Sequence, residues 1–395
     1  MTHMTRAARL LAPAILALAA VLAGCAGPAP GGCPRCPGPA AAPAVRYEPA
    51  PFAAIPGWSS AALAPGLGAF VAGCPRIAEA SALGRACASA REVPAADEAA
   101  VRRFVEQRFT AWSVVPAEGA SEGLITGYYE PVLAGSRERS ARFRYPVYGP
   151  PPDLVRVELE SVHPELRHLR LRGRLEGSRL VPYWTRAEIE SMDIRAPALA
   201  WVEDPVELLF LQIQGSGQIA LESGERLRLG YADQNGHPYR SIGRYLVDRG
   251  ELLLERASMQ GIKEWAAANP AKLRAALDAN PSYVFFRELP TAAAGEGPDG
   301  PPGTLGAPLT AGYSLAVDPR SVPLGAPVYL STTWPLSDKP LERLMAAQDT
   351  GGAIRGAVRA DFFWGTGPDA GAQAGRMRQR GRLWILWPRG EPLPQ

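Results

Sequence analysis

Ala316-Val317-Asp318-Pro319-Arg320-Ser321-Val322-Pro323-Leu324-Gly325, Gln348-Asp349-Thr350-Gly351-Gly352-Ala353-Ile354-Arg355-Gly356 and Arg359-Ala360-Asp361-Phe362-Phe363-Trp364-Gly365 follow one another near the C-terminus. In each, an aspartate ends or interrupts a short apolar run. The surrounding runs, Tyr313 to Val317, Pro327 to Leu330, Arg343 to Ala347, Ala357 to Phe363 and Leu383 to Trp387, have strand length. Glycine and proline punctuate them. Many short strands with such turns predict a small β-barrel.

Working upstream, a Gly/Pro-rich loop runs from Phe286 to Pro308. Before it, Ser241 to Arg249, Ile262 to Ala268 and Leu273 to Leu277 read as helical. Leu208 to Ile213 and Gln218 to Leu221 read as strands on either side of a Gly215-Ser216-Gly217 turn. Leu124 to Tyr129 and Arg142 to Tyr148 also read as strands, and Pro150-Pro151-Pro152 breaks the chain. Asp97 to Trp112 reads as a helix: Asp97 suits an N-cap, and Val101, Phe104, Val105, Phe109 and Trp112 share one face. Ordered sequence is expected from about Ile55-Pro56-Gly57-Trp58, and no internal repeat is present.

The 395 residues are 47% hydrophobic, as in globular chains, with a formal net charge of +3. That balance, without a Lys/Arg cluster, gives no case for nucleic acid. The four histidines are scattered and no second cysteine pair joins Cys33 and Cys36 at zinc spacing, so neither a metal site nor a cofactor is expected. Cys33 and Cys36 form a C-x-x-C without a βαβ setting. Cys74 and Cys87 flank an Ala-rich segment; they read equally as a disulfide closing a small loop or as two buried thiols.

At the N-terminus Arg6 and Arg9 precede an apolar run, Leu10 to Leu22. A transmembrane span needs ~20 apolar residues, and this run has the length of a signal-peptide core instead. It ends in Leu22-Ala23-Gly24-Cys25, which resembles the bacterial lipobox. The resemblance implies cleavage before Cys25 and lipidation of its sulfur, so residues 1–24 are expected to be a signal peptide. Ala26 rather than Asp after the cysteine implies an outer-membrane address, facing the periplasm. Acyl chains bury enough CH₂ groups for stable anchoring. Residues 25–51, rich in Pro, Ala and Gly, read as a tether.

The three aspartate segments resemble the three-aspartate domain, a double-psi β-barrel of cell-wall enzymes. Thr126-Gly127-Tyr128-Tyr129-Glu130-Pro131, Tyr148-Gly149-Pro150-Pro151-Pro152-Asp153-Leu154, Gln212-Ile213-Gln214-Gly215-Ser216-Gly217, Gly236-His237-Pro238-Tyr239-Arg240-Ser241-Ile242-Gly243 and Asn280-Pro281-Ser282-Tyr283-Val284-Phe285-Phe286 extend the likeness. Together they resemble the membrane-bound lytic murein transglycosylase A family over roughly residues 56–387. The resemblance implies a mainly β fold with some α. A double-psi barrel would be built from 52–129 and 269–395, a β-rich domain inserted at 130–268, and the substrate groove between them. It implies cleavage of the β-1,4 bond between N-acetylmuramic acid and N-acetylglucosamine without water, leaving a 1,6-anhydro end. Glycan strands and the outer membrane would be its partners, with other cell-wall enzymes as further candidates.

One carboxyl suffices for that reaction, as general acid and then as base toward the sugar's 6-hydroxyl. The family pattern assigns it to Asp361, and the aromatics Phe362, Phe363 and Trp364 would desolvate it and raise its pKa. Asp349 either lies close to Asp361 and keeps it protonated by like-charge repulsion or bonds backbone in the Gly351-Gly352 turn. Asp318, before proline, reads as a turn residue, and Asp369 as a helix cap or turn residue. Thr126, Tyr128, Gln212, Gln214, Ser216 and Gly217 are the expected sugar contacts; half-buried strand residues are the plainer reading of each. His237 reads as a turn histidine with its bonds satisfied. Two rival functions stand beside this one. The first is an inverting hydrolase using Asp349 and Asp361 as base and acid. The second is a non-catalytic peptidoglycan-binding lipoprotein.

Overall fold

In the computed structural model the described residues are 45–117, 119–163, 166, 169–290 and 300–394. The signal peptide, the Cys25 anchor and the Cys33–Cys36 pair lie outside them.

The first element corrects an expectation. Val45–Ala50, assigned above to the end of the tether, forms strand β1, antiparallel to β2 (Phe109–Pro116) with Val45 opposite Pro116 and Ala50 opposite Ala111. Its residues alternate: Val45 and Tyr47 pack toward the barrel while Arg46 and Glu48 face solvent. The Tyr47 hydroxyl bonds the carbonyl of Ser321 at 3.0 Å. A short alternating stretch thus gains enough burial to order the chain ahead of residue 51.

Helices α1 (Ala64–Gly73), α2 (Ala82–Ala90) and α3 (Glu98–Arg108) separate β1 from β2. Cys74, just past α1, is disulfide-bonded to Cys87 in α2, which decides between the two readings of that pair. Asp97 caps α3 by accepting from the Ala100 amide at 2.9 Å. The helix stops at Arg108, four residues short of Trp112. Phe109 to Pro116 instead bridges β1 and the last strand of the chain, and two-sided sheet pairing overrides the helical spacing.

Next comes β3 (Gly123–Glu130), then β4 (Val132–Ser136), β5 (Tyr145–Tyr148), β6 (Val155–Arg156), β7 (Arg172–Glu176) and β8 (Arg179–Pro182). Short helix α4 (Arg186–Ser191), β9 (Ala198–Val202) and α5 (Pro205–Gln214) follow. The last is a second correction, because Leu208 to Ile213 was expected to be a strand. Asp204 accepts from the amides of Val206 (2.8 Å) and Glu207 (3.3 Å), Pro205 opens the helix, and Gly215 ends it in the left-handed conformation at φ 79°. The run shows no clean helical period because the helix is buried on two sides. Leu208 and Leu211 join the core of the adjoining sheet, Val206 and Leu209 a separate helical core.

After α5 the chain forms β10 (Ser216–Leu221), β11 (Arg226–Gln234), helices α6 (Ile242–Asp248), α7 (Met259–Ala268) and α8 (Pro270–Asp278), and β12 (Val284–Glu288). The C-terminal part holds β13 (Ser314–Val317), β14 (Pro327–Thr333), β15 (Pro340–Asp349), β16 (Arg359–Thr366), α9 (Pro368–Arg376) and β17 (Arg378–Pro388). Every strand expected there is present.

Two large sheets result. One runs β1-β2-β17-β14-β15-β13-β16-β3, and β3 also pairs with β17, so six of its strands close into a ring. Ring closure removes sheet edges. Its interior is filled by Ile125, Leu315, Val317, Val328, Leu330, Ala360, Phe362, Leu383 and Ile385. On the outside α1 lies against β15, so closely that a Cβ on Gly66 would stand 2.1 Å from the Leu344 carbonyl oxygen. The other large sheet, β12-β11-β10-β4-β9-β5, comes wholly from residues between β3 and β13, and β6-β7-β8 make a small third sheet. β3 ends at Glu130 and β4 begins at Val132, so the chain leaves the ring and enters the second sheet across one residue, Pro131.

Candidate active site

The register of three ring strands builds the site. Ala316 in β13 pairs with Asp349 in β15 on one side and with Asp361 in β16 on the other, and Asp361 pairs in turn with Thr126 in β3. Asp349, Ala316, Asp361 and Thr126 therefore share one rung. The residues flanking three of them along the strands, Leu315, Ala360 and Ile125, fill the barrel interior, and a register shift before Asp349 brings it onto the same rung. Side chains alternate across a sheet, so the rung points outward.

Asp361 is held at one oxygen. Its Oδ1 accepts from the Thr126 hydroxyl and from Arg359 Nη1 at 2.8 Å, while Arg359 Nη2 bonds Thr126 Oγ1 at 2.8 Å. Among the described residues Oδ2 accepts no bond. Burial pushes the Asp361 carboxyl above the usual carboxylate range; Arg359 opposes this and the charge of Asp349 adds to it. Of the three aromatics expected to desolvate it, Phe362 and Trp364 pack with the barrel interior instead. Phe363 lies against Tyr128, ring centroids 5.1 Å apart.

Asp349 is fixed more tightly. Its Oδ1 accepts from Thr304 N (2.9 Å), Thr304 Oγ1 (2.8 Å) and Thr350 N (2.9 Å). Burial raises its pKa nonetheless, against the pull of those bonds. The backbone amides it bonds are those of Thr304 and Thr350 rather than of Gly351 and Gly352, and its charge adds to the upward push on Asp361. The Tyr128 hydroxyl is buried beside both carboxylates and, among the described residues, meets Asp349 only outside good hydrogen-bonding geometry. Burial, then Asp349 and Asp361, drive its pKa well above the ordinary phenol value.

The other expected residues separate into groups. Gln214 reaches the ring through its Oε1, which accepts from the Tyr129 amide at 3.3 Å, and Ser216 is half-buried at the start of β10. Gln212 is turned away. It is buried on α5, where its Oε1 accepts from Arg186. At Gly217 a Cβ would come within 2.9 Å of the Pro131 carbonyl oxygen, so the glycine serves close packing. Asp318 is buried and bonded by Arg320 Nε (2.9 Å), Arg320 Nη2 (2.7 Å) and the Gly356 amide (2.8 Å). Burial works against its ionisation, but those partners prevail and hold its pKa below the usual range. Asp369 is exposed in the first turn of α9, whose cap position is Gly367. His237 Nε2 meets the Tyr183 carbonyl at 2.7 Å, as a satisfied turn histidine does. Among the described residues no three His, Cys, Asp or Glu side chains group as a metal site.

Three polar residues were not anticipated. Arg359 stands two positions before Asp361 on the same strand face, a period-2 signal present in the sequence. Thr304 arrives from a distant loop and carries no such signal. Glu130, 1% exposed, accepts from Gln218 Nε2 at 2.9 Å and Thr366 Oγ1 at 2.8 Å, tying the second sheet to the ring.

Residues 124–287 match the family model of the MltA specific insert domain, and residues 313–387 that of the 3D domain. The chain is similar to membrane-bound lytic murein transglycosylase A of Escherichia coli K12, 34% identical over 286 residues that cover 70% of this chain and 68% of that protein. Among solved structures it is similar to MltA from Neisseria gonorrhoeae, at 40% identity and a TM-score of 0.77, covering 90% of this chain and 97% of that one. It is also similar to E. coli MltA with bound chitohexaose, at 28% identity and a TM-score of 0.64, covering 87% of this chain and 94% of that one.

Proposed function

Because this chain belongs to the membrane-bound lytic murein transglycosylase A family, we propose that Asp361 carries its chemistry alone, as acid and then as base. The chain is a lytic transglycosylase, an enzyme that cleaves peptidoglycan glycan strands. Protonated Asp361 donates from Oδ2, the oxygen without a partner, to the glycosidic oxygen between N-acetylmuramic acid and N-acetylglucosamine. The carboxylate so formed then accepts the proton of the muramoyl 6-hydroxyl as that oxygen attacks the anomeric carbon. The bond to the leaving sugar breaks, that sugar departs with the proton from Asp361 as its new hydroxyl, the 1,6-anhydro bond forms, and the 6-hydroxyl proton ends on Asp361. No water is consumed and the carboxyl returns to its starting state.

The observation that carries this reading is the unequal treatment of the two rung carboxylates. In both, Oδ1 takes the hydrogen bonds and Oδ2 takes none among the described residues, but only Asp361 meets a cation there, Arg359. Asp349 has its Oδ1 committed to three donors, which suits a fixed charge better than a base that must release and bind protons. That favours one catalytic carboxyl over the acid–base pair of an inverting hydrolase. The groove is proposed to lie between the ring, of double-psi type, and the inserted part, whose expected end at 268 moves to 288 because β12 pairs with β11 and α8 joins the helical core of the insert; sites prefer such domain junctions. Thr126, Tyr128, Gln214 and Ser216 would line it.

Among the described residues no helix is long and apolar enough to cross a membrane. Attachment is proposed to run through lipidated Cys25 to the outer membrane. The decisive experiment is mass analysis of the ends released from sacculi. Anhydromuramic ends are expected from the wild type and none from Asp361→Asn. Reducing muramic ends would overturn the single-carboxyl mechanism, and equal lysis by both proteins would overturn the choice of Asp361.

A further inference from the structure

The outer face that carries Asp361 continues across β3 onto β17. Thr126 pairs with Asp361 on one side and with Arg378 on the other; Leu124 pairs with Arg359 on one side and Arg380 on the other. Two adjacent rungs thus read Asp361–Thr126–Arg378 and Arg359–Leu124–Arg380. Strands lie ~4.8 Å apart, so the Arg378 backbone stands roughly 10 Å from that of Asp361, about the length of one disaccharide unit. An arginine side chain shortens that gap further.

These arginines differ in employment. Arg359 is committed to Asp361 and Thr126. Arg378 and Arg380 are exposed, and Arg378 has no acidic partner among the described residues. Arg380 bonds the carbonyl of Glu122 at 2.9 Å and meets its carboxylate only at 4.0 Å. Beside them opens a cleft of about 750 Å³, bordered by Glu122, Gly123, Leu124, Arg355 and Arg359. Arg355, also exposed, lines that cleft with Arg359, Arg380 stands at its border opposite Leu124, and Glu122 is the one acidic group among the described lining residues. Exposed guanidinium forks beside an open cleft match planar carboxylates. A neutral chitin-like glycan offers none. Murein does, on the peptide borne by each muramoyl lactyl ether.

We infer that Arg355, Arg378 and Arg380 form a subsite for the carboxylate-bearing peptide arm of the muramoyl sugar cut at Asp361. This rests on the transglycosylase reading and adds to it a reason to prefer peptide-substituted strands. The subsite holds the substrate and takes no part in proton transfer.

The test uses the full lipidated chain in detergent, with two substrates: peptide-bearing glycan strands, and the same strands with their peptide carboxylates converted to primary amides. The variants are Arg378→Gln, Arg380→Gln and the pair. Exposed ion pairs are individually weak, so a loss of about fivefold in kcat/KM is expected for the pair on peptide-bearing strands. Rates on amidated strands should stay at the wild-type level. Added salt should erase the wild type's preference and leave the double variant unmoved. Arg378→Glu should deepen the loss, and unchanged melting temperatures would show that the fold is intact. Equal losses on both substrates, or no loss on either, overturn the inference. So does a double variant that cuts both substrates normally but no longer binds anionic phospholipid vesicles, which would assign these arginines to the membrane. If the wild type cuts neither substrate, the transglycosylase reading itself falls.

Discussion

Asp361→Asn separates chemistry from architecture. Asn keeps the side chain's shape, and its carbonyl oxygen can still accept from Thr126 and Arg359, the two groups that clamp Oδ1. What it loses is the proton carried at Oδ2. Positioned acid–base catalysis is worth ~10²–10⁴-fold, or ~3–5 kcal/mol of barrier. The upper end is expected, because one carboxyl serves both half-reactions and the neighbouring Asp349 is committed elsewhere. Binding to sacculi should persist. Stability should move the other way. Burial, outweighing Arg359, raises the folded pKa of Asp361 above its unfolded value. The folded state then holds that proton more tightly, so the group's contribution is full at low pH and is lost as pH rises through the raised value. Asn does not titrate. The melting temperature of the variant relative to wild type should therefore climb from acid to neutral pH. Activity is read as anhydromuramic ends released from sacculi, binding by co-sedimentation and stability by thermal melts across pH. A loss of less than about tenfold, or a melting-temperature difference that falls as pH rises, would refute the reasoning.

Two further substitutions should move the alkaline limb of the pH–rate profile in opposite directions, since kcat/KM requires protonated Asp361. Asp349→Asn removes a charge that holds Asp361 up, so the limb should shift toward acid with a milder loss of activity; an unmoved profile would deny it a tuning role. Arg359→Gln removes the main opposing influence, so the limb should shift toward alkali, and a drop in rate at all pH values without that shift would leave Arg359 a purely structural part. Replacing Cys74 and Cys87 by Ala should cost about 3 kcal/mol, the entropy of a short closed loop, measured by denaturant unfolding with activity at 25 °C retained. Cys25→Ala should act normally on soluble murein yet lyse cells differently, and identical behaviour in both settings would argue against a confining anchor.

The barrel was legible because its strands are short, apolar and cut apart by Gly and Pro, and because closure buries one face of each. Asp361 was singled out instead by the three-aspartate resemblance and its aromatic neighbours, and its place on the outer face agrees with the strand period. The strand period that hides Ala360 and Phe362 inside the ring exposes the residues between them. That period also predicts Arg359 beside Asp361. The errors share another cause. Leu208 to Ile213 is apolar almost throughout because α5 is pressed between two cores, and a helix buried on two sides loses the 3.6-residue signature that would distinguish it from a strand. Gln212 was misassigned with it; once the segment is helical, it turns toward Arg186. Strand β1 was hidden by the proline-rich composition on either side of it. Thr304 comes to Asp349 through a contact 45 residues long, and nothing local marks such a residue.

The three aspartates of the barrel show how one residue type is given different work by its donors. Asp318 meets Arg320 through both oxygens and the Gly356 amide besides; burial cannot prevail against that, and the group stays ionised as part of a turn. Asp349 receives three donors at one oxygen but no cation, so burial prevails while the side chain is immobilised. Only Asp361 has burial and a cation in opposition, with the cation meeting a single oxygen. A carboxyl that must first give a proton and then take one back cannot be permanently neutral or permanently charged. Burial alone would make it a poor base, and a two-oxygen arginine pair would make it a poor acid. The one-sided clamp by Arg359 avoids both limits, and it leaves the second oxygen free toward the outer face where a glycan can approach.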